Sequence, residues 1–220
     1  MNSRSTRGGA ATRQRNAERS RAAILAAATA QFAANGLGGA RVDEIARSAG
    51  VNKALLYHYF GNKQALFLAV LEATYAQIRG AEATLELEAL SPSAAMERLV
   101  DFTWNYFVQH PEFITLVNSE NLHRAAHLKR SKRVRALHHP LVERIGEVLE
   151  RGAACGEFRA GVDPVQLYIS IASLGYFYLS NAHTLGAVFE RDLLSPRERE
   201  ARRLHVQEVV HGYLRPDASS

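Results

Sequence analysis

The sequence predicts an all-α protein. It has an N-terminal three-helix helix-turn-helix head and a C-terminal helical bundle. Three observations predict this. Apolar residues recur at i, i+3, i+4, i+7, the period of helices with one buried face. Gly, Asn-Gly, Ser-Pro and Asp-Pro punctuate that pattern where helices stop and start. No long stretch alternates apolar and polar residues as a half-buried strand would.

The stretch from Val42 to Lys63, VDEIARSAGVNKALLYHYFGNK, reads as two short helices joined by a tight turn. Val42, Ile45, Ala46 and Ala49 form the inner face of the first. Gly50 stands where a helix ends in the left-handed region. Ala46 is small where two helices must cross closely, and Val51 can fill the corner. Asn52 is a good N-cap for the second helix. Leu56 and Phe60, four apart, face inward, which leaves Lys53, Ala54, Tyr57 and His58 outward. A cation, a small residue, a phenol and an imidazole on one helix face suit the major groove of DNA. Val42 and Asn52, at the starts of the two helices, are counted with them.

Upstream, Ala17 to Asn35 reads as an amphipathic helix with the stripe Ile24, Ala28, Phe32, ended by Asn35-Gly36. Downstream, Asn62 can cap a fourth helix carrying Phe67, Val70, Leu71, Thr74 and Ile78. Ser91-Pro92, Pro140, Asp163-Pro164 and Ser195-Pro196 each open a further helix, and His110-Pro111 closes one. Another begins near Glu112 and runs into the basic stretch Lys129 to Arg135. The segment from Pro164 to about His183 has no polar face, so it must be buried on all sides. One side can line the bundle. The other needs a partner, which the last helix of a second copy supplies, unless the segment is the central helix of a monomeric bundle. The expected organisation is a basic flexible arm over 1–16, a head with its connecting helix over 17–80, a ligand-binding and dimerisation domain over 81–215, and a tail over 216–220.

Ile24 to Ala28, Phe32, Gly36, Val42-Asp43-Glu44-Ile45-Ala46, Ala49-Gly50-Val51, Leu56-Tyr57, Phe60 and Lys63 together resemble the DNA-binding domain of the TetR family of bacterial transcriptional regulators. The resemblance covers about residues 17 to 80. It implies a homodimer that pairs through its last two helices and sits on a palindromic operator, with Arg41, Tyr59 and Lys63 on phosphates. Three positions depart from the family pattern. Arg41 stands where a capping Ser or Thr is common, Asn52 replaces a Ser or Thr, and Tyr59 replaces a frequent His. The segments NSENLHRAAHLKRS and Gly175 to Asn181 are similar to a subgroup that controls catabolism of nicotinate-like aromatic acids.

The net charge of +5 is concentrated at one end: six arginines and one acid precede Ala22. Arg19 and Arg21, at the start of the first helix, are expected to contact DNA, while residues 1–12 read as a solvated tail. The single Cys155 cannot form an internal disulfide, and no apolar run is long enough to span a bilayer, so a cytoplasmic protein without membrane contact is expected.

A regulator needs a signal. Trp104, Phe107, Tyr168, Tyr176 and Phe177, with Asn118, Asn121, His123 and Asn181, offer the mostly apolar walls and sparse polar groups of a small-molecule site. His123 and His127, read as i, i+4 on a helix after Glu120, have metal-ligand spacing. The adjoining basic run marks a surface, so no metal and no cofactor is expected. No nucleophile stands beside a base, so no enzyme activity is expected. The reading is a ligand-responsive repressor released by a small effector, with an aromatic acid as the candidate. An activator, or an architectural DNA binder without a ligand, would carry the same head.

Overall fold

The computed structural model describes residues 5–216; Arg4, counted in the basic arm, and residues 217–220 of the expected tail lie outside them. Ten α-helices form among the described residues, and they divide into two compact units. One holds residues up to Thr74 together with Thr115–Ser131. The other holds Tyr75–Ile114 and the chain from Lys132 onward.

In the first unit, α1 (Ser5–Gly39) packs on α2 (Val42–Ser48) and α3 (Lys53–Phe60), followed by the start of α4 (Lys63–Glu82). The helix begins at Ser5, so residues 5–16, expected as a flexible arm, extend α1 instead. Its regular part ends where Gly36 takes φ 65°, as the Asn-Gly signal requires. Ile24, Ala28, Phe32, Ile45, Leu56 and Phe67 have no exposed surface. Burying a large apolar side chain of this kind contributes about 1.5–3 kcal/mol. Phe32 and Phe67 meet edge to face, ring centres 5.1 Å apart.

The expected boundary near residue 80 does not hold for Thr115–Ser131, which packs with the head. Leu116, midway along α6 (Pro111–Leu122), is wholly buried in the head core, and Leu128 packs against that core. The Leu37 N–H donates to Ser119 Oγ at 3.3 Å, and Ser131 Oγ donates to Glu72 at 2.6 Å. Glu120 organises the segment. One carboxylate oxygen accepts the backbone N–H groups of His127 and Leu128 at 2.8 and 2.9 Å, and the other meets His127 Nδ1 at 2.7 Å. To reach these partners the chain turns back on itself after Leu122, with Arg124 and Ala125 at φ 56° and 57°. His123 and His127 are therefore not a helical i, i+4 pair, a correction to the sequence reading.

The second unit centres on α5 (Pro92–Gln109), which packs on α7 (Lys132–Ala154), α8 (Pro164–Ser180) and α10 (Pro196–Leu214). Ser91, Asp163 and Ser195 each cap a helix with proline at its start, as their spacing predicts. Met96, Leu99, Val100, Ile145, Val148, Leu167, Ile171, Val206 and Val210 form the core. Pro140 does not open a helix; it lies inside α7. The apolar stripe Val134, Leu141, Ile145, Val148 runs through it, and burial of that stripe outweighs the one hydrogen bond the ring removes. α8 stops at Ser180, short of His183. The Asn181 amide donates to the Phe177 carbonyl at 2.9 Å, and a separate helix α9 (Ala182–Phe189) follows. α4 and α6 each contribute residues to both units. No helix among the described residues is long and apolar enough to cross a membrane.

Glu120 is 1% exposed and fully hydrogen-bonded, so removing it strands His127 and two backbone N–H groups. Glu120→Ala should lower the unfolding free energy by about 3 kcal/mol. Urea denaturation checks this, and a variant as stable as the parent contradicts it.

Candidate DNA-binding face and effector pocket

The α2–α3 corner is closed by the backbone. The Val51 N–H donates to the Ala46 carbonyl at 3.0 Å and the Gly50 N–H to Arg47 at 3.1 Å, with Gly50 at φ 67°. These are the paired bonds of a Schellman motif. Asn52 Oδ1 then accepts the Leu55 N–H at 2.8 Å and starts α3. Leu56 and Phe60 are buried, and Lys53, Ala54, Tyr57 and His58 are exposed on the opposite face, as their spacing requires. Asn62 Oδ1 caps α4 through the Ala65 N–H at 2.8 Å.

The remaining head residues fall into two groups. Arg41 is exposed and makes no side-chain cap to α2, as the exchange of a capping residue implies. Arg19 is exposed, and the exposed Arg21 lays its guanidinium 5.4 Å over the Phe60 ring. Val42 and Tyr59 are half-buried against the head core. Lys63 is half-buried, its Nζ donating to the Gly38 carbonyl at 3.1 Å. Lys53 Nζ sits 2.8 Å from Asp43. Its hydrogen bond and positive charge hold the Asp43 carboxyl below the ordinary carboxylate range.

The nine residues expected at the effector site divide between the units. Asn118, half-buried, and Asn121 and His123, both exposed, belong with the head. His123 Nδ1 is 2.8 Å from the Ser119 carbonyl. In the second unit Trp104 and Phe107 are buried and cover Gly175, filling the contact between α5 and α8. Tyr168, Tyr176 and Asn181 are half-buried, whereas Phe177 is 58% exposed.

Sequence reasoning missed a buried charge cluster in this unit. Arg79 and Glu82, on α4, are 6% and 2% exposed, with Nη1 2.9 Å from Oε2. Arg79 Nη2 donates to the Tyr168 hydroxyl at 3.2 Å, and Arg144 Nη1 donates to the Glu82 carbonyl at 3.0 Å. Burial pushes the Glu82 carboxyl up to about 7, with Arg79 and Arg144 pulling it down. Tyr106, also buried, has its phenol raised chiefly by desolvation. Arg79, Glu82 and Arg144 line a pocket of about 330 Å³ whose other walls are Ala76, Gly80, Ala83, Ala136, Leu137, Pro140 and Leu141. A signal for the cluster existed. Glu82 lies four residues after Ile78, in register with the apolar stripe of α4, where a charge is out of place.

A helix-turn-helix head with an exposed reading helix, carried by a chain whose other unit holds a small pocket, defines a DNA-binding regulator. The chain belongs to the TetR family. Residues 24–70 match the bacterial regulatory proteins of the tetR family, and residues 92–210 match the tetracyclin repressor-like C-terminal domain. It is 42% identical to the HTH-type transcriptional repressor NicS of Pseudomonas putida over 181 residues, 82% of this chain and 85% of that protein. Among solved structures, a bacterial regulatory protein in the tetR family from Rhodococcus RHA1 shares the fold with TM-score 0.69 at 18% identity, over 90% of this chain and 98% of that one. The regulator FadR from Bacillus subtilis, in complex with stearoyl-CoA, shares it with TM-score 0.62 at 18% identity, over 87% and 98% of the two chains.

Two outcomes follow. Asp43→Asn frees the Lys53 ammonium and removes a negative charge beside the reading helix. DNA binding should tighten, and the slope of log K against log salt should steepen by about one, in a fluorescence titration. Equal or weaker binding contradicts this. The Glu82 carboxyl is raised above its ordinary value of 4.5 to about 7, so the folded chain holds that proton more tightly than the unfolded one. The group's contribution to stability is therefore full at low pH and declines as pH rises through the window between those values. Relative to Glu82→Gln, the parent should lose stability from about pH 5 to pH 8, and parallel curves would remove the assignment.

Proposed function

We propose that this chain is a transcriptional repressor that binds a palindromic operator as a homodimer and leaves it when a small effector binds. The observation that carries the reading is the outward face of α3, with Lys53, Ala54, Tyr57 and His58 exposed on a helix whose opposite face anchors it in the head core. These side chains read base edges. Arg41, Tyr59 and Lys63, with Arg19 and Arg21 from α1, hold phosphates and fix the register. Val42 and Asn52 position the starts of α2 and α3.

The homodimer is supported by the unpartnered apolar surface of the last long helices. On α8, Val165, Ile169 and Phe177 are 45%, 48% and 58% exposed, and on α10, Val209 and Tyr213 are 39% and 44% exposed. At spacings of four and eight residues they form one stripe on each helix. Two such pairs meeting about a two-fold axis form a four-helix interface. An activator would carry the same head, but the similarity to NicS, named a repressor, favours repression.

The effector site lies in the second unit, with Tyr168, Trp104, Phe107 and Tyr176 around it and Asn181 at its edge, while Phe177, expected there, faces outward in the dimer stripe. Asn118, Asn121 and His123 belong to the responding segment that packs with the head. Because α4 and α6 contribute to both units, an effector that binds one arrangement of these helices better shifts the spacing of the two heads.

The test pairs a gel shift with light scattering. The parent chain should be a dimer that retards DNA from upstream of its own gene selectively and in a salt-sensitive way. Phe177→Glu should shift the mass toward the monomer and weaken retardation more than tenfold, since one head makes only half the contacts. Selective, salt-sensitive retardation by a stable monomer, or none by the dimer, would overturn the reading.

A further inference from the structure

The first unit holds a pocket of about 480 Å³. Gly38 from the end of α1 and Lys63 and Gln64 from the start of α4 form one side, and His123, His127 and Arg130 from Thr115–Ser131 form the other. Four of the lining side chains are basic and none is acidic. The segment that supplies three of them has the same bias. Between Glu120 and Glu143 the chain carries six lysines and arginines and no acid.

These side chains are held with donors to spare. Lys63 Nζ gives one hydrogen to the Gly38 carbonyl and keeps two. His123 Nδ1 lies 2.8 Å from the Ser119 carbonyl, which only accepts, so that nitrogen carries the hydrogen. His127 Nδ1 is 2.7 Å from Glu120 Oε2, and its ring meets Phe67 edge to face with centres 5.2 Å apart. Both rings are thus fixed through Nδ1, and their centres stand 5.9 Å apart. Nε2 has no hydrogen-bond partner in either ring. His123 is exposed, and His127 Nε2 is not sealed from solvent. Arg130 is exposed, and its guanidinium has no ion-pair partner among the described residues. Glu120, behind His127, has both oxygens occupied.

Lys63 and Arg130 bring two fixed positive charges, which repel a metal ion and attract an anion. Each imidazole donates from Nε2 once it takes up a second proton, and an anion in the pocket favours that proton. An occupant that accepts from four donors needs negative charge on oxygens with several lone pairs and needs no apolar body. A phosphate group fits. Its source follows from the place of the pocket in the chain. Gly38 precedes Arg41 by three residues, and Lys63 follows the last residue of α3 by three. The pocket adjoins the chain where it enters and leaves the helix-turn-helix, beside the DNA backbone that α3 would straddle.

We propose that Lys63, His123, His127 and Arg130 together hold one backbone phosphate of the operator, which makes Thr115–Ser131 part of the DNA-binding surface. The proposal rests on the DNA-binding reading above and extends it to a segment far from the helix-turn-helix in sequence. Glu120 gains a second role, because the contacts that close the segment also position the His127 donor. α6, which leads into the segment, also contributes to the second unit, so DNA held through this pocket favours one arrangement of α6.

The experiment titrates the full-length protein against DNA from upstream of its own gene by fluorescence anisotropy over a range of salt. Arg130→Gln/His123→Gln removes two exposed donors and leaves the Glu120–His127 contact in place. Its melting temperature should match the parent's. The slope of log K against log salt should fall by about one, and operator and unrelated DNA should weaken alike, since a phosphate contact carries no sequence information. Lys129→Gln removes an exposed charge beside Arg130 but outside the pocket, and should leave the slope nearly unchanged. An unchanged slope in the double variant, or an equal fall in Lys129→Gln, would overturn the proposal. Calorimetry with inorganic phosphate at fixed ionic strength separates the other source. Saturable binding that the double variant loses while its DNA slope stays at the parent's value would assign the pocket to free phosphate and overturn the claim on the operator. If the parent binds DNA selectively and only the variant slopes disagree, the repressor reading stands. If the parent binds no DNA, that reading has failed first.

Discussion

The head depends on one backbone corner. Two hydrogen bonds, Val51 to Ala46 and Gly50 to Arg47, turn the chain between α2 and α3, and Gly50 at φ 67° makes them attainable. Everything that α3 presents follows from that turn. Asn52 starts the helix in register, Leu56 and Phe60 are drawn into the core, and Lys53, Tyr57 and His58 are left outside. A side chain at position 50 other than glycine would pay for the left-handed backbone at the point where the reading helix takes its direction. The corner sets the direction of α3 and of every side chain that helix presents.

Two buried carboxylates in this chain show how pairing separates structure from function. Glu120 accepts two backbone N–H groups and the His127 ring, and it holds Thr115–Ser131 in a closed, satisfied arrangement. Glu82 has a neighbouring guanidinium, yet one of its oxygens and three nearby donors remain unpaired. A satisfied buried charge stabilises a conformation and has little left to offer a ligand. An unsatisfied one is a cost that the fold carries. The first belongs to the unit that holds the helix-turn-helix and the second to the other unit.

Features written in local sequence were legible. The inner stripe of α2, the glycine stop, the caps at Asn52 and Asn62 and the Ser-Pro and Asp-Pro helix starts all depend on residues within one turn of one another. Features made by partners distant in sequence were not. Thr115–Ser131 leaves the bundle and joins the head because Leu116 and Leu128 find the core of α1 and α4, and because Ser131 finds Glu72, 59 positions earlier. His123 and His127 looked like a helical pair because nothing nearby announces that Glu120 pulls the chain back on itself. Pro140 looked like a helix start, and a stripe continuous through it made it an interior residue. Arg79 and Glu82, three apart and in register with the stripe of α4, have no partner nearby in sequence besides each other. Only the packing of α7 and α8, which brings Arg144 and Tyr168, makes them buried.

The central claim is that α3 enters the major groove and that two copies do so together. Hydroxyl-radical footprinting of the protein on its operator tests this most directly. The account predicts two protected patches related by a two-fold axis, their centres about one helical turn or a whole number of turns apart. A single patch, or protection without two-fold symmetry, would contradict it.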